Sequence, residues 1–125
     1  MSENAVVDLP GRTFLVAEID GAQAIPGAEL TFGVDGRLTG RATVNRVFGP
    51  YEVDGDLLVV GPMAATLMAG PPEAMGQETA LLARLGVPLA VSRAEDPGDL
   101  LLSGEQGTVL LRELDPDVED LAAGQ

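Results

Sequence analysis

The sequence predicts an α+β fold: a curved, largely antiparallel sheet of about eight strands, a partly open barrel, with one helix packed against it. Three observations carry this expectation. Two pairs of alternating apolar runs are each joined by an Asp-Gly turn, the strongest short-range hairpin signal. A single segment has apolar residues at helical spacing. The links between runs are short, and short links force antiparallel pairing.

The elements follow in order. Residues 1–10 read as a loose leader that ends at Pro10-Gly11. "RTFLVAEI" is the first strand, with Asp20-Gly21 as its turn. Residues 28–34 and 37–43 form a hairpin across Asp35-Gly36. "NRVFG" then reads as a turn or one-turn helix, because Gly49-Pro50 breaks regular structure. "YEV" and "LLVVG" make a second hairpin across Asp54-Gly55. The helix spans 71–86. Pro71 and Pro72 suit a first turn, Glu73 favours the positive end of the dipole, and Gly86 with Pro88 marks the stop. Met75, Leu81, Leu82 and Leu85 form its apolar stripe. Strands at 88–94, 99–104 and 108–114 complete the domain, which therefore spans 11–114. Residues 115–125 read as a solvated acidic tail.

Composition excludes more than it assigns. The 125 residues are one domain. Apolar residues make up 46% and aromatics 3%, so the core is aliphatic. With no Cys, there is no disulfide, thiolate metal site or cysteine nucleophile. With no His, the commonest acid/base and metal ligand is missing. All 7 cations are Arg, which removes Schiff-base and phosphate-loop lysines. No cofactor and no metal are expected. A formal net charge of −13 opposes nucleic acid and anionic lipid, which need a cationic footprint. The most apolar stretch, residues 57–70, is interrupted by Gly61, Pro62 and Thr66, and it is shorter than the ~20 residues a span requires. The start has no basic or long apolar leader. A cytoplasmic protein is expected.

An ordered set of short matches supports a family resemblance. "GRTFLVAEIDG", the "LTF…DGRLTG" hairpin, "TVNRVFGPY", "TLMAG", the helix from Glu73 and the "VLLREL" ending are collinear. In this the chain resembles the META domain, the HslJ-like group of small bacterial proteins, across about residues 11–114. The resemblance implies a stress- or heat-shock-associated fold without established catalytic chemistry. It also sets an expectation about two positions. Where many members carry Cys, this chain has Val44 and Gly70. Their joint absence is that of a pair that meets in space and has little use in a reducing compartment.

The polar residues most open to a functional reading are Asn45, Arg46 and Tyr51. In one reading they line a pocket beside the helix, with Arg46 holding an anion or a partner's carboxylate. In the other, Asn45 fixes a turn through backbone groups and Tyr51 packs with its hydroxyl at the rim. Thr66 and Met68 either edge a ligand cleft or seat the helix. The Asp and Glu clusters match no calcium-loop spacing. No G-x-S-x-G or G-x-G-x-x-G motif occurs. The resulting expectation is a non-catalytic binding or interaction module, monomeric or a weak homodimer, whose partner is an unknown protein or small molecule. The alternative is a carrier of a small apolar ligand, held between sheet and helix. An enzyme resting on carboxylates and Arg46 is the weakest reading. A filled interior favours the module, and an apolar void of several hundred Å³ favours the carrier.

Overall fold

The computed structural model describes residues 8–114. The strands are β1 (Arg12–Ile19), β2 (Ala22–Gln23), β3 (Ala28–Phe32), β4 (Arg37–Ala42), β5 (Arg46–Asp54), β6 (Leu57–Val60), β7 (Ala64–Ala65), β8 (Leu89–Arg93), β9 (Leu100–Gly104) and β10 (Gly107–Glu113), with one helix, α1 (Pro72–Leu85), between β7 and β8. Eight strands form a ring in the order β1-β3-β4-β5-β6-β8-β9-β10, antiparallel throughout. The two-residue strands β2 and β7 flank β1 and β5.

The α+β class and the single helix are as expected, but the barrel is closed rather than partly open. β1 pairs with β10 from Phe14↔Glu113 to Ile19↔Val109, across a bulge between Val16 and Glu18. A bulge bends a strand and increases its twist, which helps the first and last strands meet. α1 therefore covers one end of a finished ring instead of filling a gap in its wall. Asp20 and the 43–45 turn lie at that end, where Arg84, Gln77 and Glu78 of α1 bond to them.

A second difference concerns 45–49. β5 runs unbroken from Arg46 to Asp54, through Gly49-Pro50. Pro50 sits where β5 changes partners. Its backbone edge faces the β6 side, between Phe48↔Ala64 of the β7 pairing and Tyr51↔Val60 of the β6 pairing. Its missing N–H falls at this handover, and its carbonyl accepts from Gly61 N at 2.9 Å. Gly49 and Gly61 let two Gly-Pro dipeptides pack together. A Cβ on Gly49 would lie 2.7 Å from the Pro62 oxygen, and one on Gly61 would lie 2.8 Å from Pro50 Cγ.

The interior is one contiguous apolar cluster. Phe14, Phe32 and Tyr51 stack edge to face within it, with centroids 5.9 and 5.1 Å apart. Leu81 and Leu85 of α1 cap it. The expected leader is only partly within the described residues, and that part is not loose. Leu9 is fully buried in the core, and Gly11 N donates to Phe32 O at 2.6 Å. The expected acidic tail, 115–125, lies outside the described residues.

Candidate functional site

Two features stand out: a buried polar knot under α1 and an open groove on the outer wall. The knot begins at the β4–β5 turn. Thr43 has φ 117, a costly conformation for a β-branched residue. Gln77 of α1 holds it, donating to Thr43 Oγ1 at 3.1 Å while also bonding Ile25 N and O. Glu78, one residue on, is only 6% exposed. Its Oε1 accepts from Val44 N at 2.8 Å and Asn45 N at 2.7 Å, and its Oε2 accepts from Asn45 Nδ2 at 2.6 Å. Asn45, 3% exposed, spends its amide fully. Nδ2 also donates to Met68 O at 3.0 Å, and Oδ1 accepts from Thr66 Oγ1 and Met68 N. Thr66 Oγ1 in turn accepts from Arg46 N at 3.0 Å. Among the described residues, every buried side-chain N or O has a hydrogen-bond partner.

The knot ties three pieces of chain, the 43–45 turn, the 66–68 segment and α1. Burial alone would push the Glu78 carboxyl up. The N–H donors of Asn45 and Val44 outweigh it and hold the group below the usual carboxylate range. Glu78 is thus an anion fixed by donors, with no proton to give at neutral pH. No group of carboxylates able to hold a metal occurs among the described residues.

Of the residues singled out from sequence, Asn45, Thr66 and Met68 do meet, with Met68 contributing its backbone. Arg46 adds only its backbone to the knot, and its side chain is exposed on the outer wall. Tyr51 stands apart. It is buried against Phe32, and its hydroxyl donates to Gly33 O at 2.7 Å. Burial pushes its phenol up, and the charges of Asp35 and Asp8 add to this. Glu78 and Gln77 were missed. The signal was present for Glu78, which sits three and four residues before Leu81 and Leu82, in phase with the apolar stripe. A carboxylate there needs buried donors.

The groove lies on the outer face of β1, β3, β4 and β5 and measures about 630 Å³. Leu15, Glu29, Arg41 and Arg46 form one cross-strand row, since Leu15↔Glu29, Glu29↔Arg41 and Arg41↔Arg46 are direct neighbours. Thr39 and Phe48 form the next row. Phe48 is 48% exposed and Leu15 is also open. Thr66 closes the β7 side, followed by Leu67, 98% exposed.

A comparison with protein families matches residues 7–117 to the META domain. The chain belongs to the META domain family. No curated protein matches it. This META domain is similar in fold to a protein from Burkholderia xenovorans solved by NMR, at TM-score 0.69 and 20% identity, covering 85% of this chain and 83% of that one. A second protein solved by NMR gives TM-score 0.69 at 19% identity, covering 86% and 95%. A DUF4847 family protein from Bacteroides vulgatus ATCC 8482 gives 0.59 at 15%, covering 86% and 96%. These structures agree on architecture. The two positions where the family resemblance leads one to expect cysteine also meet here. A Cβ on Gly70 would lie 3.6 Å from Val44 Cβ and 2.8 Å from its Cγ2. Val44 fills the space beside Gly70 where a partner side chain would stand.

Proposed function

We propose that this META domain is a non-catalytic interaction module that works through its outer wall, in a stress-related setting. The filled interior carries the reading. An eight-stranded barrel has room either for its own side chains or for one small ligand, and here Phe14, Phe32, Tyr51 and the surrounding Leu and Val side chains are buried in one contiguous cluster inside it. This favours the module over the carrier. The donor-locked Glu78 supports a role without acid/base chemistry. The stress setting rests on the family resemblance alone. A protein partner suits the formal charge of −13, which repels nucleic acid. No helix among the described residues is long and apolar enough to cross a membrane. Because the ring is closed, a strand-edge dimer would have, among the described residues, mainly the two-residue strands β2 and β7 to build on.

Two measurements test this. An apolar fluorescent dye titrated into the protein should show no saturable interior uptake. Immobilised wild-type protein should retain a partner from heat-stressed cells that Phe48→Asp, with an unchanged circular dichroism spectrum, does not. Stoichiometric dye uptake, or capture that Phe48→Asp leaves intact, would overturn the proposal.

A further inference from the structure

We infer that the outer groove is the docking surface of this chain's own acidic segment, residues 115–125. The inference rests on the outer wall being the working surface, and it names an occupant. Charge comes first. Arg41 and Arg46 are direct cross-strand neighbours, and like charges so placed repel. The ion pairs among the described residues engage Arg12, Arg84 and Arg112 instead. Among the described residues, Glu29 is the one carboxylate lining the groove, and it makes no ion pair with the neighbouring Arg41. Two cations thus face solvent together on a chain of formal charge −13.

The segment "DPDVEDLAAGQ" complements them. Asp115, Asp117, Glu119 and Asp120 supply anions, and Val118 and Leu121 supply apolar groups for Leu15 and Phe48. Its point of departure is right. Leu114 N donates to Thr13 O of β1 at 2.8 Å, and Thr13 lies across from Thr31, which faces Thr39, which faces Phe48. From β10 to β5 is four strand spacings by way of β1, β3 and β4, about 19 Å at ~4.8 Å each. Eleven residues reach about 36 Å when extended. A short tether gives an effective concentration on the order of millimolar, so weak contacts suffice. An external acidic partner would then have to displace the segment.

The absence of native Cys allows a clean test on the full chain. A nitroxide is attached through Ala123→Cys, and paramagnetic broadening is read on the backbone amides. The expected result is broadening of Thr39, Arg41, Arg46 and Phe48 that is largely lost in 1 M NaCl, where screening acts within ~3 Å. It should also be lost in Arg41→Gln/Arg46→Gln, whose remaining spectrum reports an intact fold. Broadening confined to the neighbours of Leu114, or centred on another face, would overturn the inference. So would broadening that survives the double substitution or arises between molecules in a mixed labelled sample. If the groove amides stay sharp while Phe48→Asp still abolishes partner capture, the segment is the wrong occupant and the outer-wall reading stands.

Discussion

Val44→Cys/Gly70→Cys should install a disulfide and raise stability strongly. The Cβ positions are 3.6 Å apart, inside the roughly 3.5–4.5 Å that disulfides span. Gly70 is outside the left-handed region, so a side chain there carries no backbone penalty. The bond would close a loop of about 27 residues, which by loop-closure entropy is worth about 3.5 kcal/mol at 25 °C. Unfolding entropy of ~2.1 cal/mol/K per residue over about 107 residues converts this to a Tm rise of about 15 °C. The proper reference is the same double variant when reduced, since replacing Val44 alters packing in both forms. Thiol titration reports whether the bond closes, and calorimetry with and without reductant reports the gain. Failure of the bond to form under mild oxidant would refute the juxtaposition. A bond that forms without raising Tm would refute the claim that the two segments already hold the bonded geometry.

Asn45→Ala should cost about 2–4 kcal/mol in urea unfolding, because it strands a buried Glu78 oxygen and removes the acceptor of both Met68 N and Thr66 Oγ1. A loss under 1 kcal/mol would mean that water replaces the amide. Glu78 also sets a pH dependence. Its folded pKa is depressed, so its contribution is present above the unfolded value of about 4.3 and is lost as pH falls below that. Glu78→Gln should flatten the fall in urea midpoint between about pH 5 and 3. Some slope should remain, because the hydrogen bond from Arg84, followed by that from Thr108 N, holds Asp20 low too. An unchanged acid limb would count against the donor-locked anion. Leu9→Ala should cost about 2–4 kcal/mol, as a fully buried leucine does, whereas a loose leader predicts no change. Gly49→Ala should lower Tm by several degrees, since its Cβ meets the Pro62 oxygen at 2.7 Å; an unshifted Tm would show that the Gly-Pro contact gives way freely.

The legible part of this fold was the part governed by local rules. Asp-Gly turns placed both hairpins, and Gly55, φ 66, and Gly36, φ 83, adopt the conformation such turns need. Prolines and Gly86 bounded α1 to within a residue of Pro72–Leu85. What stayed hidden was non-local. Gly49-Pro50 reads as a break in isolation, and it is tolerated in β5 only because two partner strands hand over there. Closure depends on β1 meeting β10, about 90 residues later, which no short window contains. Leu9 precedes the Pro-Gly signal that looked like the start of the domain. At the site, Asn45 was visible through its turn preference, but its partner Glu78 is 33 residues away.

Closure also bears on the proposed outer-wall function. Joining β1 to β10 pairs the first and last strands of the ring, and Phe14, Phe32 and Tyr51 are buried inside it, which disfavours strand addition and an interior ligand. The polar knot then fixes the end that α1 covers. Glu78 and Asn45 hold together the 43–45 turn and the 66–68 segment, close to the bond that Cys at 44 and 70 would make. Hydrogen bonds to a buried carboxylate weaken in acid rather than in reductant, so this domain is expected to lose that tie with protonation instead of reduction. The surface proposed to act is the outer wall, where Leu15, Arg41, Arg46 and Phe48 are exposed. Threonine would serve the sheet as well at those positions, and the opposed Arg pair costs stability unless an anion comes to it.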